Sequence, residues 1–247
     1  MNTLQDAISM RLSRRKYIPE PLPPAAAAEL QALMAEYNSR ENLNIQLALD
    51  NGEAFNGFRK SYGMFSGVRN YFGLIADKSD LISAEKLGYY GELLVLHAVA
   101  LGFGTCWVGG SFHRASCPFA VPPGQSILCT IVVGRVEQDL SRKERLIRYT
   151  THRKTKTIEQ MYTADEAVPA WFLSGMAAVQ AAPSAMNRQP VSFTYQNGAV
   201  SAAVQNIAGE AFALDLGIAK LHFELGAGGG KWDFGNGAKF RKDEEEK

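Results

Sequence analysis

The sequence predicts an α+β protein of two pseudo-symmetric sheet-plus-helix units packed on central long helices. Three observations predict it. Residues 80–102 read as one long helix, mostly apolar around its circumference in its second half, which makes it central and buried. SILCTIVVGRV (126–136) is a continuous apolar run of strand length, hence a strand buried on both faces. The halves also repeat. His97 and Trp107 recur as His222 and Trp232 at a common offset of 125, and Asn51-Gly52 recurs as Asn197-Gly198 at 146, so the second copy is 21 residues shorter between these landmarks. Each copy reads helix, loop, strand, turn, then a long helix ending near a tryptophan. The division falls at 1–165 and 166–247, the two halves sharing one core.

The elements follow in order. Residues 3–14 form an amphipathic helix on which Leu4 and Ile8 mark the apolar line, with Arg11 and Arg15 close to it. Pro19, Pro21, Pro23 and Pro24 force an extended linker, and 24–37 is a helix with proline near its start. NIQLALD (44–50) alternates like a strand and closes on the Asn51-Gly52 turn. YFGLIA (71–76) is a further strand, and TCWVGGS follows the long helix. Residues 139–157 are basic and run over the surface. A helix over 168–181, a loop, a strand, a turn, a helix over 211–226 and a glycine-rich segment complete the chain.

A chain of 247 residues, 46% apolar and 21% charged, holds ample material for a core, and its net charge of +1 argues against a nucleic-acid coat or a supercharged membrane binder. Cys106, Cys117 and Cys129 are odd in number and contain no CxxC pair, which favours a reducing compartment with the cysteines as small core hydrophobes. The N-terminus lacks an apolar signal core, and Leu93–Gly110 carries His97 and four glycines, so a cytoplasmic protein without a membrane span is expected. Familiar catalytic motifs fail. Trp107 stands where the third glycine of GxGxxG belongs, Gly228–Lys231 lacks the first glycine of a P-loop, and there is no HExxH, GxSxG or EF-hand loop. The four histidines have no metal-ligand spacing, and His97 and His222 read as core or interface histidines. No metal site is expected.

Four clusters carry chemistry. In Arg11-Leu-Ser13-Arg-Arg15, two guanidiniums and a hydroxyl suit a phosphate dianion if the helix ends near Ser13; the alternative is a basic helix end complementing the dipole. In Ala182-Pro183-Ser184-Ala185-Met186-Asn187-Arg188-Gln189-Pro190, prolines stiffen a loop whose Asn187 and Gln189 amides could read the imide edge of a heterocycle; the alternative is a plain helix-to-strand connection. Gly109 and Gly110 would let backbone approach a flat ligand. The basic run through Arg153 and Lys156 either adds to a phosphate site or is a solvated face.

Together the RxSxR element, the long helix running into GFGTCWVGGS, IVVGRV, RKTKTIEQMY and the PSAMNRQP loop resemble the FMN-dependent nitroreductase family. In ordinary members the PSxxNxQP loop precedes the central helix and is donated by a partner subunit. Here RLSRR opens the first half and PSAMNRQP the second. The resemblance thus implies a two-lobed subgroup in which one chain, acting as a monomer, mimics the homodimer and builds one flavin site. By motif position, Arg11, Ser13 and Arg15 would hold the FMN phosphate and ribityl end with help from Arg153 and Lys156. Pro183, Ser184, Ala185, Asn187 and Gln189 would line the isoalloxazine, Gly109 and Gly110 would lie near flavin N5, and Tyr62 and Gly63 would approach the ring. Leu12 departs from the family, which commonly has a basic residue there. No side chain is implied as catalytic, because the flavin carries the chemistry. NAD(P)H would reduce it and a nitroaromatic, quinone or similar flat acceptor would reoxidise it, with ping-pong kinetics; a small-molecule acceptor is the expected partner, and neither nucleic acid nor membrane. The alternatives are a reductive dehalogenase on the same scaffold, or a flavin storage or sensor protein whose pocket is capped by the Gly226–Gly237 region.

Overall fold

The structure, a computed structural model, describes residues 2–151, 154–205 and 209–243. The chain divides into two compact units, Met1–Lys78 with Leu93–Thr151, and Ser79–Glu92 with His152–Lys247.

In the first unit, Thr3 caps α1 (Leu4–Met10): its hydroxyl accepts the Asp6 N–H and the Asp6 carboxylate accepts the Thr3 N–H. The helix stops four residues short of the expected Arg14, because Arg11 is already extended at φ −64°, ψ 124°. Arg11 and Arg15 therefore never share a helical stripe with Leu4. The backbone turns instead to a sheet edge, where Ser13 bridges Thr105 in parallel and the Arg14 N–H donates to the Thr105 carbonyl. α2 (Pro24–Glu41) starts on a proline, which needs no N–H there, and ends at Asn42 in the left-handed region. It is followed by β1 (Asn44–Ala48), α3 (Phe58–Ser61), β2 (Asn70–Ala76), α4 (Leu81–Ala100, which belongs to the second unit up to Glu92), β3 (Gly104–Val108), β4 (Ser126–Gly134) and α5 (Arg142–Thr151). The sheet runs β1-β2-β4-β3, antiparallel throughout. β2 is buried along its length and β4 from Ile127 onward, which is why they read as apolar runs rather than alternating ones. Phe55 stands edge-on to Phe65 and Tyr71 at 5.4 and 5.1 Å between centroids and anchors the core beside this sheet. Within the basic stretch expected to wander over the surface, α5 is a regular helix. Of its residues only Glu144 is buried.

In the second unit, β5 (Tyr162–Ala164), α6 (Ala170–Ala181), β6 (Val191–Gln196), β7 (Ala199–Val204), α7 (Glu210–Gly226), β8 (Lys231–Trp232) and β9 (Lys239–Arg241) follow. The sheet order is β5-β6-β7-β9-β8, with β5 parallel to β6 and the other pairs antiparallel. Asn197 and Gly198 both have positive φ (50° and 72°), as a tight two-residue hairpin turn between β6 and β7 requires. α7 is buried from Ala213 to Phe223, charged residues included. Phe223 stacks on Phe193 at 5.1 Å and meets Phe240 and Trp232 edge-on at 5.2 and 5.6 Å.

α7 crosses the first half of α4 on two glycines. A Cβ on Gly217 would lie 1.9 Å from the Glu85 carbonyl oxygen, and one on Gly88 would lie 2.1 Å from that of Leu214. Backbone on backbone leaves nothing flexible to yield. Gly217→Ala should therefore destabilise the protein by roughly 1–3 kcal/mol, the range for overpacking, lowering the urea midpoint; an unchanged midpoint would show that the helices separate freely.

Candidate functional site

The first unit brings Arg11, Ser13 and Arg15 together. The buried Cys106 thiol on β3 is pushed up by burial, while the Arg15 and Arg11 charges and a hydrogen bond with the Ser13 side chain pull it down, so all three residues act on that thiol. Arg15 Nη1 donates to the Ser13 carbonyl at 3.3 Å. Arg14, which the motif leaves out, turns inward. Its Nε donates to Glu144 at 3.2 Å and its Nη1 and Nη2 to the carbonyls of Glu137 and Asp139 at 2.9 and 3.1 Å. The Arg14 stem passes over Gly104, where a Cβ would stand 2.9 Å from Arg14 Cγ.

The carboxylate of Glu144 completes this arrangement. Oε1 accepts the N–H groups of Arg15 and Lys16 at 2.7 and 3.1 Å as well as Arg14 Nε, and Oε2 accepts the Ser141 N–H at 2.8 Å. Burial opposes its ionisation, yet these hydrogen bonds and that of the Ser141 hydroxyl outweigh burial and hold the carboxyl at about 2. Sequence reasoning missed both Arg14 and Glu144. The signal was present: Ser141-Arg-Lys-Glu144 has the S-x-x-E spacing of a capping box, and the Glu144 N–H indeed meets Ser141 Oγ at 3.3 Å.

The other predicted residues of this unit lie on loops. Gly109 and Gly110 follow β3, are exposed, and would carry a Cβ into open space, so the chain's own packing does not demand glycine there. Tyr62 has φ 51° and is 68% exposed, and the Gly63 carbonyl accepts from the Lys143 ammonium on α5.

In the second unit the 182–190 loop is held at many points. The Ala185 N–H donates to both carboxylate oxygens of Asp215 on α7, at 3.1 and 3.2 Å. Ser184 Oγ accepts the Gln189 N–H at 2.9 Å. The buried Gln189 amide is engaged within the protein rather than left to face a ligand: Oε1 accepts the Lys156 N–H at 2.8 Å and Nε2 donates to the Gln180 carbonyl at 3.1 Å. Lys156 Nζ donates to the Gln189 carbonyl at 2.7 Å, and Asn187 Nδ2 to Thr155 Oγ1 at 3.1 Å. These bonds sustain positive φ at three non-glycine residues, Met186, Asn187 and Gln189. Met186 is left 73% exposed, while Pro183 is half-buried. A cleft of about 490 Å³ opens beside the loop, lined by Thr155, Lys156 and Gln180 among others. Arg153 lies outside the described residues.

The glycine-rich segment is tied down. Lys220 Nζ, wholly buried, meets Glu85 Oε1 at 2.5 Å and the carbonyls of Asp233 and Gly235 at 3.1 and 3.0 Å, and Glu85 Oε2 accepts the Gly235 N–H at 2.8 Å. His222 is a core histidine, as its place in a helix suggests. Its Nδ1 lies 3.0 Å from the Ala178 carbonyl, which can only accept, and its Nε2 lies 2.9 Å from Glu92 Oε1. Among the described residues no helix is long and apolar enough to cross a membrane.

A family model described as "Putative TM nitroreductase" matches residues 3–227. The structure of a putative nitroreductase from Thermotoga maritima MSB8 is 20% identical, covers 97% of this chain and 92% of its own, and superposes with a TM-score of 0.67. An FMN-dependent nitroreductase from Clostridium difficile R20291 is 17% identical over 61% of this chain and 98% of its own, with a TM-score of 0.44. At these identities the likeness is one of fold. No curated protein matches the sequence.

Asp215 gives a pH signature. Burial lifts its carboxyl to about 7, against the Ala185 hydrogen bond and the Arg188 charge, which pull it down. The folded state then binds more protons than the unfolded one between about 4 and 7, so this group's contribution makes stability fall as pH rises through that window. Asp215→Asn should match wild type at pH 4 and exceed it at pH 8 by up to about 4 kcal/mol, at 1.36 kcal/mol per pKa unit. Parallel melting curves at both pH values check this; equal differences at the two would refute it.

Proposed function

Since the chain belongs to the family described as putative TM nitroreductases, we propose that it is an FMN-dependent oxidoreductase that passes electrons from NAD(P)H to a nitroaromatic, quinone or similar flat acceptor. The observation that carries this reading is the RLSRR segment. Two guanidiniums and a hydroxyl act on the Cys106 thiol, with Arg14 and Glu144 fixing the backbone beside them. That donor set fits a phosphate monoester, since forked N–H groups and a hydroxyl match its oxygens. The fit does not depend on a helix stripe.

When bound, FMN supplies hydride acceptance at N5 and onward electron transfer, so that donor and acceptor bind in turn. The protein's residues bind, orient and shield. Arg11, Ser13 and Arg15 take the phosphate and ribityl end. The 183–190 loop offers a rigid rim for the ring, with Pro183, Ser184, Ala185 and Asn187 on it. Gln189 and Lys156 act by holding that rim in shape, through the bonds between them. Gly109 and Gly110 leave room for the ring, because no side chain fills the space beside them. Tyr62 and Gly63 form a further approach to it. Positive charge at the cofactor favours its reduced, anionic state.

The test is a visible spectrum of the FMN-loaded protein before and after anaerobic NADPH or NADH. Flavin bands that bleach support a reductase; bands that persist favour a storage or sensor protein. Arg11→Ala and Arg15→Ala should each weaken FMN by roughly 1.5–3 kcal/mol, the scale of a charge-assisted hydrogen bond, measured by fluorescence titration. Unchanged affinity in both would remove the phosphate assignment.

A further inference from the structure

We propose that Glu144 is the positioning residue of the phosphate-binding segment: its carboxylate, without touching the ligand, sets the backbone that aims Arg11, Ser13 and Arg15. The proposal rests on the flavin reading above.

Three features carry it. The first is the convergence of two successive N–H groups, those of Arg15 and Lys16, on the single oxygen Oε1. Successive N–H groups of a regular strand point to opposite sides, so this oxygen forces a bend just beyond Ser13. The second is that the same oxygen takes Arg14 Nε and keeps that guanidinium inward on the Glu137 and Asp139 carbonyls. Arg14 is thereby withdrawn from the ligand face while its neighbours keep to the Cys106 side. The third is burial. Glu144 is 2% exposed, yet its carboxylate meets Arg14 Nε and the N–H groups of Arg15 and Lys16, and its other oxygen closes the start of α5 on Ser141.

Charge and position predict opposite signs for its removal. A carboxylate beside an anion site repels the anion, so by Coulomb's law its neutralisation should tighten binding. If its role is to position, neutralisation should weaken binding. In Glu144→Gln one oxygen becomes an N–H₂ donor, which must face either the Ser141 N–H or the Arg15 and Lys16 N–H groups.

The experiment titrates the folded protein with FMN and with riboflavin, which lacks the phosphate, at pH 7.5. Wild type should bind FMN at least tenfold more tightly than riboflavin; equal affinities would overturn the phosphate reading and this proposal with it. With that preference established, Glu144→Gln should lose at least tenfold in FMN affinity and change riboflavin affinity less than twofold. FMN binding that tightens or stays constant overturns the positioning role, as does an equal loss for both flavins, which marks general unfolding of the site. Ser141→Ala keeps the carboxylate but removes the hydroxyl that steadies it, and provides the same comparison should Glu144→Gln fail to fold. It should show an FMN-selective loss of about threefold, and equal changes for the two flavins again overturn the proposal.

Discussion

A charge taken out of water must find its partner inside the fold, and three buried pairs among the described residues bear on that condition. Arg14 meets Glu144, Lys220 meets Glu85 and His222 meets Glu92, all buried and all joining segments 130 or more residues apart. The desolvation cost of such pairs cancels much of their attraction, so their net contribution to stability is small. A mispaired alternative, by contrast, would strand a charge in an apolar core. Each pair is also bound to backbone: Lys220 to two carbonyls of the glycine-rich segment, Glu144 to three N–H groups, His222 to Ala178. The Lys220 and Glu144 pairs therefore fix irregular backbone where sheet and helix do not, while His222 ties α7 to α6 at Ala178.

The same logic explains the 182–190 loop. Left-handed backbone at Met186, Asn187 and Gln189 costs roughly 1–3 kcal/mol per residue and survives only where the surroundings over-determine it. Here Asp215, Ser184, Thr155 and Lys156 all hold the loop from within the second unit. The loop is strained and rigid together, a combination suited to presenting Met186 and Asn187 at a fixed angle.

What the sequence made legible was local. β4 and the long α4 announce themselves by apolar content, the Asn197-Gly198 turn by its residue types, and the RLSRR and PSAMNRQP motifs by spacing. What stayed hidden depends on partners far along the chain. Periodicity extended α1 to residue 14 because Arg11–Arg14 are acceptable helix formers; the competing bond from Arg14 to Thr105 is invisible locally. α5 was hidden by its shortness and its charge, since ten residues with a single buried one read as a solvated basic face. β5 is three residues long and pairs in parallel with β6 across an intervening helix, which leaves no hairpin signal. Gln189 stands out in the sequence as an amide that could face a ligand, whereas the groups it engages in the structure are Lys156 and Gln180.

α5 has a further consequence, for how such a protein can diversify. Its outward residues Arg142, Arg145 and Leu146 are exposed and can be exchanged at little folding cost. Glu144 cannot, because one carboxylate both closes the helix start and braces the RLSRR backbone. An insertion or deletion between Ser141 and Glu144 would break both functions at once, whereas substitution around them breaks neither. Variation in this lineage should thus run through the composition of the helix and leave its phase untouched, with the surface free to drift around one immovable side chain.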